Sequence, residues 1–378
     1  MYGVSESAKS KGEYKLLRIT DIQNNAVDWN TVPYTDYDEH RANAYRISDG
    51  DILFARTGAT VGKSYLVKGL QDKAIYASYL IRVQTFNEIL PEYVKYFFES
   101  GFYWEQIQKD SVGIGQPNVN GTTLSQLALP IPPINEQHRI VNELGSWLNI
   151  IDAIDNGKTE LQIAIKRTKS KILALAIHGK LVPQDPSDEP ANELLKRINP
   201  KAEITCDNPH YRNLPKGWAV IKVGNVAKYT NGRAFKPEEW ESTGLPIIRI
   251  QNLNDADAPY NRSSVIHEQK YLIKDGDLLF AWAASIGTYI WSGENAWLNQ
   301  HIFKVEPYPF IDKAFLFYAF QAMISEFYKN SHGSGMVHIT KKQFEEITLL
   351  LPPLSEQIRI VECLEQTFSI LDSINCNL

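Results

Sequence analysis

The stretch Ala55-Arg56-Thr57-Gly58-Ala59-Thr60-Val61-Gly62-Lys63-Ser64 has the residue types of a phosphate-binding loop, in which glycine amides and a lysine cradle a nucleotide's phosphates. That chemistry needs four residues between the first glycine and Gly-Lys-Ser. Here three separate Gly58 from Gly62, and Thr57 stands where the glycine is required. A strand–turn–strand connection is the simpler expectation. Asn208-Pro209-His210-Tyr211 comes one residue short of the Asn-Pro-Pro-Tyr loop that grips a flipped adenine, and no glycine-rich cofactor loop accompanies it. The eight histidines show neither HxxxH nor HExxH spacing, which argues against a metal site. His301 reads as a packed strand residue, whereas His332 and His338 flank Gly333-Ser334-Gly335, where a contact role is open to them. The acid pairs Asp49/Asp51 and Asp275/Asp277 each bracket a glycine ahead of an apolar strand, so turn formation explains them better than acid–base work. Aromatic rows at Tyr93–Phe98 and Phe315–Phe320 read as helix faces in cores.

The elements that would position such residues are organised around one long helix. Pro132-Pro133 blocks any helix upstream, Asn135 stands as a candidate N-cap, and Glu136 adds a carboxylate at the positive end of the helix dipole. Apolar residues then alternate at steps of four and three through Ile140, Leu144, Trp147, Ile151, Ile154, Leu161, Ile165, Ile172 and Leu175, with Lys158 and Thr168 filling two slots. This heptad seam predicts a coiled-coil-like helix from Asn135 to His178, ended by Gly179 in the left-handed conformation. At 1.5 Å per residue it would span roughly 65 Å, which suits a spacer. Near the end of the chain Pro352-Pro353-Leu354-Ser355-Glu356-Gln357-Ile358-Arg359-Ile360-Val361 repeats Pro132-Pro133-Ile134-Asn135-Glu136-Gln137-His138-Arg139-Ile140-Val141, with Ser355 in the cap position. The second helix stops much sooner than the first.

Two helices entered by one motif imply an internal duplication. Leu16-Leu17-Arg18-Ile19 matches Ile247-Ile248-Arg249-Ile250. Asp49-Gly50-Asp51-Ile52-Leu53-Phe54-Ala55 matches Asp275-Gly276-Asp277-Leu278-Leu279-Phe280-Ala281. Tyr79-Leu80-Ile81-Arg82-Val83 matches His301-Ile302-Phe303-Lys304-Val305. The shared residues are scaffold: strand interiors, turn glycines and helix starts. The residues between them differ freely, as two related readers of different targets require. Leu214-Pro215-Lys216-Gly217-Trp218 opens the second copy without a counterpart in the first, which begins about fifteen residues further in. Relative to a full tandem pair, the chain reads as shifted or trimmed at both ends.

Composition places the 378-residue chain among ordinary soluble proteins, with 43% hydrophobic and 22% charged residues. Net charge is −5; residues 1–134 carry 13 basic and 15 acidic side chains, and residues 201–354 carry 16 of each. Global charge therefore gives no support to nucleic-acid binding, which must rest on local features. Cys206, Cys363 and Cys376 form no ligand spacing and fit a reducing cytoplasm. No apolar run approaches the ~20 residues that span a membrane, and no signal peptide opens the chain.

Taken in order and in duplicate, these motifs resemble the specificity subunit of type I restriction-modification enzymes. The most specific are the repeated Pro-Pro-x-x-Glu-Gln-x-Arg-Ile-Val, the run His178-Gly179-Lys180-Leu181-Val182-Pro183-Gln184-Asp185-Pro186, and Leu214-Pro215-Lys216-Gly217-Trp218; Gly276-Asp277-Leu278-Leu279-Phe280-Ala281 and Asn299-Gln300-His301-Ile302 add to them. The resemblance implies an α+β architecture: two similar mixed target recognition domains joined by long coiled-coil-like helices in a pseudo-two-fold internal repeat. The expected boundaries are 1–134 for the first recognition domain, 135–200 for the central helix and linker, 201–354 for the second recognition domain, and 355–378 for the short second helix. It further implies a reader of split, asymmetric sites in double-stranded DNA with no catalysis or cofactor of its own. Two methyltransferase subunits, which modify adenine at N6 with S-adenosylmethionine, would dock on it, and a restriction subunit would translocate and cut DNA with ATP.

Base readout in the grooves falls to Arg, Lys, Asn and Gln on divergent loops. The candidates are Arg56, Lys63, Gln116, Asn118 and Asn120 in the first copy, and Arg233, Lys236, His338, Lys341 and Lys342 in the second. A competing reading, a tandem coiled-coil adaptor that binds only protein, accounts for the helices and the acidic balance equally well.

Overall fold

The computed structural model describes residues 2–56, 61–110, 120–198, 214–255, 257–331 and 337–378. Contacts divide the chain into two units, Met1–Asn156 and Gly157–Leu378. Both mix strands and helices, and the boundary falls within the long helix.

In unit 1, β1 (Tyr14–Leu17), β2 (Ile52–Ala55), β3 (Ser64–Leu66), β4 (Ala74–Tyr76) and β5 (Leu80–Val83) precede α1 (Pro91–Phe97) and the start of α2 (Ile134–Ile177). β1 runs parallel to β4, pairing Leu16 with Ile75. β2 is central in a second sheet, antiparallel to β3 and β5, with Phe54 opposite both Ser64 and Ile81. Its alternation buries both faces. Ile52 and Phe54 pack with Phe97, Phe98 and Tyr103 on the helix side, and Leu53 packs with Tyr65, Val67 and Leu80 on the other. Phe54 and Phe98 meet edge to face at 4.9 Å.

Unit 2 holds α3 (Ala191–Ile198), β6 (Ala219–Lys222), β7 (Ala227–Asn231), β8 (Leu245–Ile248), β9 (Leu278–Ala281), β10 (Gly287–Ile290), β11 (Ala296–Leu298), β12 (Ile302–Pro307), α4 (Lys313–Ala322), β13 (Thr348–Leu351) and α5 (Leu354–Cys376). The topology of unit 1 recurs. β8 runs parallel to β11, and β9 lies between β10 and β12, with Phe280 opposite Thr288 and Phe303. Phe280 meets Phe320 as Phe54 meets Phe98. One pairing, of β6 with β13, lacks a counterpart among the described residues of unit 1, and the extension of the sheet by β7 beyond β12 is matched there only by a bridge between Tyr2 and Ile81.

The duplication is equally visible in its punctuation. Gly50 and Gly276 hold φ of 93° and 80° ahead of β2 and β9, in the left-handed region that glycine adopts freely. The Asp51 and Asp277 carboxylates accept backbone N–H groups of Ser48 and Lys274, so the acid pairs are turn formers, as expected. The strand anticipated over Tyr14-Lys15-Leu16-Leu17-Arg18-Ile19 begins at Tyr14 but stops at Leu17, because the Arg18 N–H turns to the Asp21 carboxylate; the Arg249 N–H turns to Asn252 in the same way.

The expected caps need correction. α2 begins at Ile134 and α5 at Leu354, so Asn135 and Ser355 lie inside their first turns, and the residue before α5, Pro353, makes no side-chain cap. The helix start is instead set by a glutamine. Gln137 Oε1 accepts from the Leu90 N–H at 2.9 Å while its Nε2 donates to the carbonyls of Glu88 and Pro132. Gln357 repeats this with the Asp312 N–H at 2.7 Å and the carbonyls of Phe310 and Pro352. Both are almost fully buried. Gly179, at φ 64°, ends α2 as predicted, with the Lys180 N–H returning to the Leu175 carbonyl.

The heptad seam of α2 finds cover in unit 2. Ile172, Leu173 and Ala176 join the core into which α5 sends Ile360, Leu364 and Phe368. In unit 1, Leu144, Trp147, Ile151 and Ile154 stay exposed. No helix among the described residues is long and apolar enough to cross a membrane.

Candidate nucleic-acid interface

One end of each central sheet carries the same backbone framework under different side chains. In unit 2, Trp282 directly follows β9, and its N–H donates to the His301 carbonyl at 3.1 Å. Its indole N–H donates to Asn231 Oδ1 at 3.0 Å, and its ring stands 5.1 Å from the His301 imidazole at 70°. In unit 1, Arg56 directly follows β2, and its N–H donates to the Tyr79 carbonyl at 3.2 Å. Its guanidinium lies 4.7 Å from the Tyr2 ring centre. Tyr2 stands where Asn231 does, because Tyr2 bridges Ile81 of β5 as Asn231 pairs with Phe303 of β12.

The glycine after each of these residues explains the fit. A Cβ on Gly3 would lie 2.2 Å from the Tyr76 carbonyl oxygen, and one on Gly232 would lie 2.0 Å from that of Asn299. Only glycine lets this strand approach so closely. Three equivalent positions thus carry Arg56, Tyr79 and Tyr2 in unit 1, and Trp282, His301 and Asn231 in unit 2.

These clusters contain buried polar atoms without hydrogen-bond partners: Arg56 Nε and His301 Nδ1, with Arg233 Nη1 close by. Burial lowers the His301 pKa below its ordinary value, which favours the neutral ring. Buried unsatisfied polar atoms are costly, and a water or a ligand can supply the missing bond; Arg46 Nε and Trp297 Nε1 are in the same state outside the clusters. His301 is partly buried, but in the turn just before β12 and not within a strand as expected, and it is packed into the candidate site.

The other predicted residues are placed variously. Asn120 caps the short helix Gly121–Ser125 through the Thr123 N–H, which commits its carbonyl oxygen, and the next N–H, of Gly121, donates to the Tyr2 hydroxyl at 3.3 Å. In unit 2 Thr340 caps Lys341–Glu346 at the equivalent point. His338 bridges Ala283, and the Ile339 N–H donates to the Trp282 carbonyl, which brings that loop onto the cluster. Lys341 Nζ reaches the Tyr229 carbonyl at 3.5 Å and stays half exposed.

Arg233 neighbours the cluster through its bridge to Asn299, but its guanidinium is engaged by Glu239 at 2.5 Å and by the Phe235 ring. That hydrogen bond holds the Glu239 carboxyl below the usual range. Lys236 opens the turn that Glu239 caps, with its side chain in solvent. Lys63 lines a separate cavity of about 660 Å³ with Tyr65, Lys95, Phe98 and Trp104. Lys342 faces another groove, with Glu346 and Lys329. Gln116, Asn118, His332, residues 57–60 of the would-be phosphate loop and Asn208-Pro209-His210-Tyr211 lie outside the described residues.

Sequence reasoning missed Tyr2, Tyr79, Asn231 and Trp282. The available signal was positional: Tyr79 and Trp282 abut the matched strands at the point where the match fails. Among the described residues no cluster of three histidine, cysteine or acidic side chains could hold a metal ion.

The family model described as the type I restriction modification DNA specificity domain matches twice, over residues 4–163 and 215–377. The chain is 31% identical over 262 residues to the EcoAI specificity subunit of Escherichia coli, a match covering 60% of this chain and 44% of that one. It is 24% identical to the EcoKI specificity subunit of E. coli K12, over 95% of this chain and 76% of that one. It is 26% identical to the MjaVIII specificity subunit of Methanocaldococcus jannaschii, over 86% and 74%. The chain thus spans less than half of the first of these relatives and about three quarters of the other two.

Among solved structures, a chain from work on complex assembly and conformational transition of the type I R-M system superposes with a TM-score of 0.72 at 20% identity, covering 96% of this chain and 86% of that one. The HsdS subunit from Thermoanaerobacter tengcongensis gives 0.56 at 19% identity, over 96% and 85%. These likenesses show the fold.

Proposed function

The chain belongs to the type I restriction-modification DNA specificity family, and from that premise we propose that it reads a split, asymmetric DNA site, one half with each unit, without catalysing any step itself. The observation that carries this reading is the pair of equivalent clusters. A shared backbone framework presents Arg56, Tyr79 and Tyr2 in one unit and Trp282, His301 and Asn231 in the other. Different donors, acceptors and rings on one scaffold are what two different half-sites call for. The unsatisfied atoms of Arg56 and His301 support contact with base edges or phosphates, and Lys341 and Lys342 are suited to phosphate contacts. Gln116, Asn118, Asn120, Lys63, Arg233, Lys236 and His338 complete the set of candidate contacts.

In this reading residues 1–134 and 201–354 are the recognition domains, and residues 135–200 and 355–378 are the helical spacers. The exposed apolar face of α2 is suited to subunit docking, with two methyltransferase subunits and a restriction subunit as partners, in the cytoplasm. Adenine methylation from S-adenosylmethionine, and ATP-driven cleavage, are their chemistry.

Co-expression with the neighbouring methyltransferase subunit in a methylation-free host, followed by mapping of modified adenines, tests the proposal. One split motif with a fixed gap is the expected result. Binding of the methyltransferase that is indifferent to DNA, with no modified adenine, would favour the protein-only adaptor instead.

A further inference from the structure

The arginine that follows the matched strand is neutralised in one unit and not in the other. In unit 1, Arg18 follows β1, and Asp21 holds its guanidinium: Nε donates to Oδ2 at 3.1 Å and Nη2 donates to Oδ1 at 2.7 Å. The same carboxylate accepts the Arg18 backbone N–H at 2.8 Å. In unit 2, Arg249 follows β8, and Asn252 takes the place of Asp21. Asn252 Oδ1 keeps the bond to the backbone N–H, at 3.1 Å, while its Nδ2 donates to the carbonyls of Ala258 and Pro259. An amide can cap this turn, but it carries no charge to set against a guanidinium.

Among the described residues no carboxylate pairs with Arg249, whereas other cations of unit 2 are paired: Arg233 with Glu239, Arg262 with Glu294 and Lys304 with Asp277. What Arg249 touches is Trp240, whose ring centre lies 5.5 Å from the guanidinium carbon and which is 39% exposed. An indole face steadies a guanidinium without consuming its N–H groups. The backbone puts this pair on the rim of the candidate interface. β8 and β11 run parallel, so their last residues share one end of the unit. The Asn299 N–H donates to the Ile248 carbonyl at 3.1 Å, and Asn299 leads through Gln300 to His301. Arg249 therefore flanks the Trp282–His301 cluster.

We propose that Arg249, steadied by Trp240, takes a DNA backbone phosphate beside the bases that unit 2 reads, and that Asp21 cancels the equivalent contact in unit 1. The inference rests on the DNA-reading function proposed above. A guanidinium offers two parallel N–H groups to two phosphate oxygens. Such a contact fixes the register of a domain on the duplex and selects no sequence. The two units then differ in how they grip the backbone as well as in what they read.

The test is binding of the full chain to mixed-sequence duplex DNA over a series of salt concentrations. Each phosphate contact contributes about 0.9 to the slope of log affinity against log salt. Arg249→Ala should lower the slope by that amount, and Arg249→Lys, which keeps the charge, should retain most of it. Asn252→Asp should act as Arg249→Ala does, because it supplies the carboxylate that Asp21 supplies in unit 1. It also gives up the bonds to Ala258 and Pro259, so a thermal melt comes first, and Arg249→Ala decides the matter if that variant does not fold. Removing the neutral pair of unit 1, by Arg18→Ala with Asp21→Asn, should leave the slope unchanged. A steep slope in the parent chain that Arg249→Ala leaves unaltered overturns the inference and spares the DNA-reading function. An equal fall on removing the unit 1 pair also overturns it. Absence of salt-dependent binding by the parent chain overturns the function and the inference together.

Discussion

Glu356 holds Trp218 by a 3.0 Å hydrogen bond between two buried side chains that lie 138 residues apart in sequence. Burial raises the Glu356 carboxyl above the ordinary glutamate range, against the smaller opposing pull of Gln184, Trp218 and Arg359. The folded protein therefore holds this proton more tightly than the unfolded chain. The resulting stability is fully present below the unfolded value, about 4.3, and is lost as pH rises through the raised folded value. Urea unfolding of unit 2 should show a loss of stability with rising pH across that window, and Glu356→Gln should flatten it. An equally steep slope in the variant would assign the dependence to another group.

The glutamine latches should carry comparable weight in the two units. Gln137→Ala and Gln357→Ala each leave a buried N–H and two carbonyls without their partner. Each should cost its own unit about 1–3 kcal/mol. Denaturant unfolding followed by hydrogen exchange would resolve the two units, and an effect below about 0.5 kcal/mol, the range of neutral surface changes, would count against the latch.

Arg56→Ala and Trp282→Ala should each weaken specific DNA binding by about 1–3 kcal/mol and relax the sequence preference in one half-site only. Methylome mapping of each variant reads this directly. Relaxation in both halves, or in neither, would separate these side chains from base readout.

Lys341→Ala combined with Lys342→Ala should weaken binding to all sequences alike and reduce the salt slope by about one to two. Lys341 reaches the Tyr229 carbonyl beside the cluster, whereas Lys342 faces a different groove, so Lys341→Ala alone should account for most of the change. Filter binding at a series of salt concentrations measures the slope.

Ala284→Gly should be neutral or stabilising by up to ~1 kcal/mol, although the same change usually destabilises. Ala284 holds φ at 56°, a conformation that costs an L-residue and not glycine. The first copy has Gly58 at the matching point of its sequence. Thermal unfolding gives the sign.

Much of the fold was legible because it is written in periodicities. The heptad steps predicted α2 to within one residue at each end, and Gly179 ended it for the stated reason. The duplicated Leu-Phe-Ala runs predicted β2 and β9. The helix caps were misread because Asn135 and Ser355 are good caps by type, while a long-range contact from Gln137 or Gln357 sets the true start, and no local rule contains that contact. The site was legible only as a region. Asn120 and Arg233 have the right chemistry for DNA, but local partners engage them, and exposure cannot be read from residue type. Trp282 and Tyr2 were missed because a tryptophan after a strand looks like core, and because Tyr2 matches Asn231 through backbone pairing and shares nothing with it as a side chain.

The two latches have a genetic corollary. Each glutamine bonds only main-chain groups that precede it in its own unit, so it is blind to the side chains there. The gene encodes nearly the same ten residues at both places, 132–141 and 352–361, and seven of them are identical. A crossover between those two stretches would delete or duplicate a whole module between matching seams, and the new junction would keep every latch contact. Recombination at this seam would add or remove a unit and leave intact how its neighbour is fastened.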